Sequence, residues 1–210
     1  FSAQLAFPIE PETAEAIKSL APNLEKISAE RIQAELVKLL VSDHPERIQD
    51  ACELGITKVV LPEWDDMVGV KQNTPHHKYD VAAHTVHALQ NVKNDKVLRL
   101  TMLFHDMGKP VMKTTDENGR DHFKGHAIAS EQIAKTVMKR LKFDNDTIRR
   151  VTALVLIHDN QPPANPASIR KALVKDGLDQ YPALFLVKKS GYRGPERSFK
   201  RKQAEICGCI

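Results

Sequence analysis

The sequence predicts an all-α protein, a short helical region followed by a helical bundle. Three observations carry that expectation. Apolar residues recur at three- and four-residue spacing in one segment after another. Helix caps and helix stops punctuate those segments at intervals of one helix length. No stretch alternates apolar and polar residues in the manner of a strand.

The elements follow in order. PETAEAIKSLA starts with Pro11 at the first helical position and has two early glutamates, which suit a helix N-terminus; Pro22 is expected to end it. Ser28 is a plausible N-cap for ERIQAELVKLLV, whose Ile32, Leu36, Leu39 and Leu40 share one face. Pro45 starts a shorter helix that stops at Gly55, and TKVVLPEW with the polar run to Pro75 reads as a turn-rich connection. A second unit then begins near His76. Asp80 caps VAAHTVHALQNV, and Asn94-Asp95 restarts a helix whose end, FHDMGKP, carries stop chemistry in Gly108 and Pro110. Residues 111–123 read as loop around a DENGR turn. Helices are expected from Ala127 to Leu141 and from Asn145 to His158. After the stiff QPPANP loop come IRKALVKDG and DQYPALFLVKK, the last clear helix. Beyond Ser190 the periodicity is lost.

Composition bounds the function. Apolar residues make up 41% and charged residues 28% of the 210, enough for a packed core and too apolar for disorder. The longest apolar stretch, VTALVLI, is far too short to cross a bilayer, so no membrane partner is expected. Aromatics at 5% argue against a base-stacking surface. Three cysteines (Cys52, Cys207, Cys209) make no disulfide framework in a chain this size, and point to a reducing, cytoplasmic setting. The net charge of +4 is a local property: Lys188, Lys189, Arg193, Arg197, Lys200, Arg201 and Lys202 face only Glu196 and Glu205, and the rest of the chain is close to neutral. That tail is the one place where composition alone invites a nucleic-acid contact. The chain opens on Phe1 in text that reads as the middle of a longer protein, so a fragment is expected.

The chemistry concentrates in histidine. Of nine, His84, His105, His126 and His158 sit at helix ends or on helical faces of the second unit, and two are followed at once by aspartate, in FHDMGK and IHDN. Neighbouring residues in mid-helix point about 100° apart, but at a helix end the backbone can turn and let both converge. One ligand from each of several helices is how bundles build metal centres. Imidazole with carboxylate suits Fe, Mn, Co, Ni, Zn or Mg, and no thiolate cluster accompanies it. A divalent ion in such a set would acidify water and polarise a phosphoryl oxygen, and Lys109 could balance the charge of a bound phosphate. A histidine near a helix C-terminus is also favoured by the dipole alone. His87 reads as a hydrogen-bonded neighbour of His84; His44, His76, His77 and His122 read as solvated loop residues. Asp144 and Asp146 read as ordinary caps.

The pattern of His84, then His105-Asp106 followed by GK, resembles the HD superfamily of metal-dependent phosphohydrolases. FKGH (123–126) and LVLIHD (154–159) resemble its members with extra histidines, which hold two metals. Upstream, FSAQLAFPIEPETAEAIKSLAPNLEKISAERIQAELVKLL is similar to the neck of bacterial CCA-adding tRNA nucleotidyltransferases, and GITKVVLPEW fits the same stretch.

The resemblance implies a neck region at 1–72, an HD domain at 73–190 and an irregular basic tail at 191–210. It implies a metal-dependent phosphohydrolase acting on nucleotide or RNA phosphoesters such as 2′,3′-cyclic phosphates, with one or two divalent ions (Mn, Ni, Co, Fe or Mg). His84, His105 and Asp106 would hold the first ion, His126 and His158 the second, and Lys109 would meet the phosphate. It implies tRNA as a partner of the whole protein. The nucleotidyltransferase head is not in this sequence, so nucleotidyl transfer is not expected of it. One departure stands out: where relatives carry a late aspartate in text like KKAD, this sequence reads KKSG and ends on Gly191. Either the last ligand comes from elsewhere, with Asp159 a candidate substitute, or the first metal site is incomplete. The alternative role is a non-catalytic module for tRNA positioning or homodimerisation.

Overall fold

The structure, a computed structural model, describes residues 1–73 and 79–159. It is all-α. Helices α1 (Ser2–Leu5), α2 (Pro11–Leu20), α3 (Ala29–Leu40), α4 (Ile48–Glu53), α5 (Ile56–Val60) and α6 (Pro62–Asp65) form the N-terminal region. Helices α7 (Val81–Asn91), α8 (Lys96–Phe104), α9 (Lys109–Met112), α10 (His126–Arg140) and α11 (Asn145–Ile157) form the bundle, with a ribbon of β1 (Thr114–Thr115) and β2 (Asp121–His122) between α9 and α10. No described helix is long and apolar enough to cross a membrane.

Helix starts follow the caps that the sequence supplies. Asp80 accepts from the Ala83 amide at 2.7 Å, Asp95 from the Val97 and Leu98 amides, and Asp144 from the Thr147 amide at 2.8 Å. Ser28 sits at the N-cap of α3 without a side-chain capping bond.

Helix α8 is the axis of the molecule. Every residue from Val97 to Phe104 is buried, because α3, α7, α10 and α11 all pack on it. Its one charged core residue, Arg99, donates to the carbonyls of Lys93 and Leu40. The Leu40 carbonyl is an orphan at the end of α3, so this guanidinium ties the N-terminal region to the bundle. The apolar core is continuous across that joint: Leu40, Ile48, Leu61, Trp64 and Met67 belong to the same cluster as Leu89, Leu100, Phe104, Met138 and Val151.

Helices α10 and α11 form an antiparallel hairpin. Lys142 takes a left-handed φ of 58°, and the Phe143 amide reaches back to the Met138 carbonyl while Lys142 reaches Lys139. That is a Schellman stop built without glycine. The hairpin returns the end of α11 to the start of α10, beside the end of α8.

Several local expectations are corrected. The first α-helix stops at Leu20, just ahead of Pro22, but a 3₁₀ stretch, Ala21–Lys26, follows it directly, since proline is tolerated in a first turn. TKVVLPEW is helical (α5 and α6), with Pro62 at a helix start. Residues 111–123 are not all loop: α9 runs to Met112, and Thr114 pairs with His122 and Thr115 with Asp121 across the DENGR turn. The ribbon is pinned by Asp121, which accepts from Asn73, Lys113 and Thr115. The IRKALVKDG and DQYPALFLVKK helices, Gly191, Cys207, Cys209 and the basic tail lie outside the described residues.

Candidate metal centre

Four histidines and one aspartate meet at one end of the bundle. His84 comes from the first turn of α7, His105 caps the C-terminus of α8, and Asp106 follows it in the turn. His126 opens α10 and His158 caps the C-terminus of α11. The HD pair converges because α8 stops at Phe104 and the chain tightens: the Met107 amide reaches Phe104 and the Lys109 amide reaches Asp106.

Gly108 makes this turn fit. Its φ is −81°, so it is not the left-handed stop that the sequence implied. A Cβ there would fall 2.6 Å from the Ser130 amide and closer still to the His126 carbonyl. The Gly108 amide instead donates to the buried Ser130 hydroxyl at 2.8 Å. The glycine is needed for the close approach of the HD turn to α10.

Asp106 is the hub, 1% exposed. Its Oδ2 lies 3.5 Å from His84 Nε2 and 3.2 Å from His105 Nε2; its Oδ1 lies 3.5 Å from His126 Nε2 and 3.6 Å from His158 Nε2. Two groups of metal-ligand type result, His84–His105–Asp106 and Asp106–His126–His158, with the carboxylate common to both. Asp159 is exposed and belongs to neither group.

The tautomers follow from the backbone. His105 Nδ1 lies 2.7 Å from the Met102 carbonyl, His126 Nδ1 2.8 Å from Phe123 and His158 Nδ1 2.6 Å from Val155. A carbonyl only accepts, so each Nδ1 carries the proton and each Nε2 turns its lone pair inward. His126 Nε2 and His158 Nε2 then face one another at 3.3 Å. Lone pairs and an anion this close repel unless a cation or extra protons stand among them. The donor set fits a divalent cation.

Charge in the site follows the same logic. Burial pushes the Asp106 carboxyl up, but with protons rather than a metal ion on the Nε2 atoms the charge at His105 and Lys109, with hydrogen bonds from His105 and His158, outweighs it and holds the carboxyl well below its ordinary value. Burial pulls His126 down, against the pull of Asp106 and with the help of His158, toward the neutral form that ligates metal. Lys109 is itself buried. It donates to Asp106 Oδ2 and to Gln72 Oε1, each at 2.8 Å, and lies 5.5 Å from the centre of the Phe123 ring. Gln72, which sequence reasoning passed over, is buried and donates in turn to the Tyr79 carbonyl at 3.3 Å.

The remaining described histidines stand apart. His87 packs on the Tyr79 ring, with centroids 4.6 Å apart. His44 is a loop residue held by Glu46, whereas His122, expected in a loop, lies on β2 and is held by Asp116. His76 and His77 lie outside the described residues. An apolar cavity of 620 Å³ lies elsewhere, among α2, α3, α4 and α5, lined by Ile17, Leu24, Ile32, Leu36 and Leu54.

The fold and this cluster define an all-α bundle with a His/Asp site of metal-ligand type. Residues 75–183 match the HD domain, and residues 6–68 match the family described as the probable RNA and SrmB-binding site of polymerase A. The chain is 32% identical to the A-adding tRNA nucleotidyltransferase of Deinococcus radiodurans, over 94% of this chain and 49% of that protein. It is 31% identical to the CC-adding tRNA nucleotidyltransferase of Thermus thermophilus, over 93% of this chain and 48% of that protein. It is 33% identical to the multifunctional CCA protein of Pseudomonas fluorescens, over 69% and 36%. The chain belongs to the HD domain family, and spans about half the length of the first two relatives.

Proposed function

We propose that the centre holds one or two divalent ions and hydrolyses phosphoesters of nucleotides or RNA ends, 2′,3′-cyclic phosphates among them. One observation carries the reading: inward-facing imidazole lone pairs crowd a buried carboxylate, an arrangement that asks for a cation. His84, His105 and Asp106 would hold one ion, and Asp106, His126 and His158 a second. Imidazole with carboxylate favours Mn, Fe, Co or Ni, with Mg the weakest match. A divalent ion would supply an acidified water and polarise the phosphoryl oxygen. Protein groups do the rest. The Nδ1 bonds of His105, His126 and His158 fix the rings, and Lys109 offers, among the described residues, the one ammonium within the cluster that could meet a phosphate oxygen.

The similarity of residues 6–68 to an RNA-binding site, and the names of the relatives, support tRNA as the macromolecular partner. They also support a division near residue 73 between an RNA-handling region and the hydrolytic bundle.

The test is hydrolysis of 2′,3′-cyclic AMP by the purified chain with Mn, Ni, Co or Mg added in turn, with His105→Ala as control. Metal-dependent turnover lost in the variant is the expected result. No turnover with any of the four metals, or equal turnover in the variant, overturns the reading.

A further inference from the structure

The two halves of the centre are not equivalent, and the difference lies in one ammonium. Lys109 sits on Asp106 Oδ2, the oxygen that faces His84 and His105. Oδ1 faces His126 and His158, whose Nε2 atoms are 3.3 Å apart. Lys109 is fixed there by more than the carboxylate. It is 6% exposed, donates to Gln72 Oε1, and lies against the Phe123 ring. Gln72 is 5% exposed and anchored on the Tyr79 carbonyl. A buried ammonium with two hydrogen bonds and an aromatic neighbour is a held cation.

We infer that Lys109 is an internal competitor for the His84–His105 half, so that the His126–His158 half binds the tighter ion. The argument is one of shared atoms. A cation on the His84–His105 half needs the Oδ2 lone pairs that the Lys109 ammonium now occupies. It also meets that ammonium's positive charge at close range, in a buried setting where charge is poorly screened. A cation on the His126–His158 half uses Oδ1 and displaces nothing that Lys109 holds. It further relieves the facing of the His126 and His158 Nε2 lone pairs at 3.3 Å. Filling the His84–His105 half frees Lys109 from Asp106 while Gln72 and Phe123 keep it in the site. This inference rests on the centre being a metal site, as proposed above.

Calorimetric titration of the metal-stripped full chain with Mn²⁺ tests it. The expected result is two ions bound with affinities at least tenfold apart. His126→Ala should remove the tighter event, and His84→Ala should remove the weaker one and leave the tighter. Lys109→Met, which removes the ammonium and keeps the length of the side chain, should raise the weaker affinity more than tenfold. Its thermal melt is checked first, and the two histidine variants carry the test if it does not fold. If the wild type binds a single ion, retention in His84→Ala and loss in His126→Ala supports the inference. Loss of the tighter ion in His84→Ala, equal affinities in the wild type, or unchanged affinities in a folded Lys109→Met overturns it and leaves the metal centre intact. No Mn²⁺ binding at all overturns the centre and the inference together.

Discussion

The N-terminal helices carry ion pairs at or near their surface. Lys18 pairs with Glu15, Lys38 with Glu35 and Arg47 with Asp50, each three residues apart on a helix surface. In the bundle, His84, His105, Asp106, Lys109 and His126 are all buried, side by side. The surface pairs contribute at most a few tenths of a kcal/mol each. The buried set carries a large desolvation cost, and an apolar set of the same shape would be more stable. The N-terminal helices keep these three pairs at or near the surface and leave apolar surface open: Leu20 is 59% exposed and Phe1 93%. The centre of the bundle instead takes its charge out of water. A region that buries charge against its own stability is shaped by what it must bind; a region that leaves apolar surface open is shaped by packing.

The strongest way to break this contrast is to disturb the packing that holds the buried set together. Gly108→Ala places a methyl group against the His126 carbonyl and the Ser130 amide, backbone atoms that cannot rotate away. The HD turn and the start of α10 must separate. We expect a loss of about 3 kcal/mol, read as a lower urea midpoint, together with weaker metal binding because Asp106 and His126 move apart. A substitution of the same size on the open side, Ala16→Ser in α2, should leave the midpoint unchanged, since α2 buries none of its residues. An unaltered midpoint in Gly108→Ala would contradict the close approach.

The joint between the regions gives the next effect. Arg99→Met keeps most of the buried volume but removes the donors to Leu40 and Lys93. The Leu40 carbonyl loses its Arg99 donor while the Lys93 carbonyl keeps the Asp95 amide, a cost of about 1–3 kcal/mol. The chain has one tryptophan, Trp64, fully buried on the N-terminal side of the joint. In the wild type its fluorescence and the helical signal should unfold together, because the core is continuous. In Arg99→Met the Trp64 transition should come first. Coincident curves in the variant would show that apolar packing alone carries the joint.

What was legible in the sequence follows the same divide. The four histidines and Asp106 could be picked out because ligand-type residues at helix ends stand out against an apolar pattern, and the structure brings all five together. The long helices were legible from period and caps such as Asp80 and Asp95. Gln72 was not, since a lone glutamine in a loop carries no pattern and its partner Lys109 lies 37 residues away. That Lys109 is buried on Asp106 was not legible either, since nothing in its local sequence shows that contact. The role of Gly108 was misread for the same reason: its constraint comes from Ser130, not from its neighbours. Asp159 drew notice only through its neighbour His158, and the backbone carries it to the surface. Two-residue strands and helices of four or five residues hold barely one period, too little to show a pattern, so the ribbon, α5 and α6 were decided by tertiary packing.

The smallest effect compares one device in both regions. Glu10 caps α2 through the Thr13 amide, and Asp144 caps α11 through the Thr147 amide and hydroxyl. The side-chain and backbone bonds of Thr147 lower Asp144 from 3.8 to about 2. Its folded value lies below its unfolded one, so the stabilisation is present above about pH 4 and is lost as pH falls through about 2. Asp144→Ala should therefore cost about 1 kcal/mol at pH 7, and the gap from the wild-type melting temperature should close progressively between pH 4 and pH 2. Glu10 is lowered too, chiefly by the Thr13 amide, yet Glu10→Ala should leave the global melting temperature alone. It caps a helix with no buried residue, whose fraying is local, whereas α11 contributes Val151, Leu154 and Val155 to the core. Equal shifts from the two substitutions would mean that α2 unfolds with the bundle, and that the open N-terminal surface is as cooperative as the buried centre.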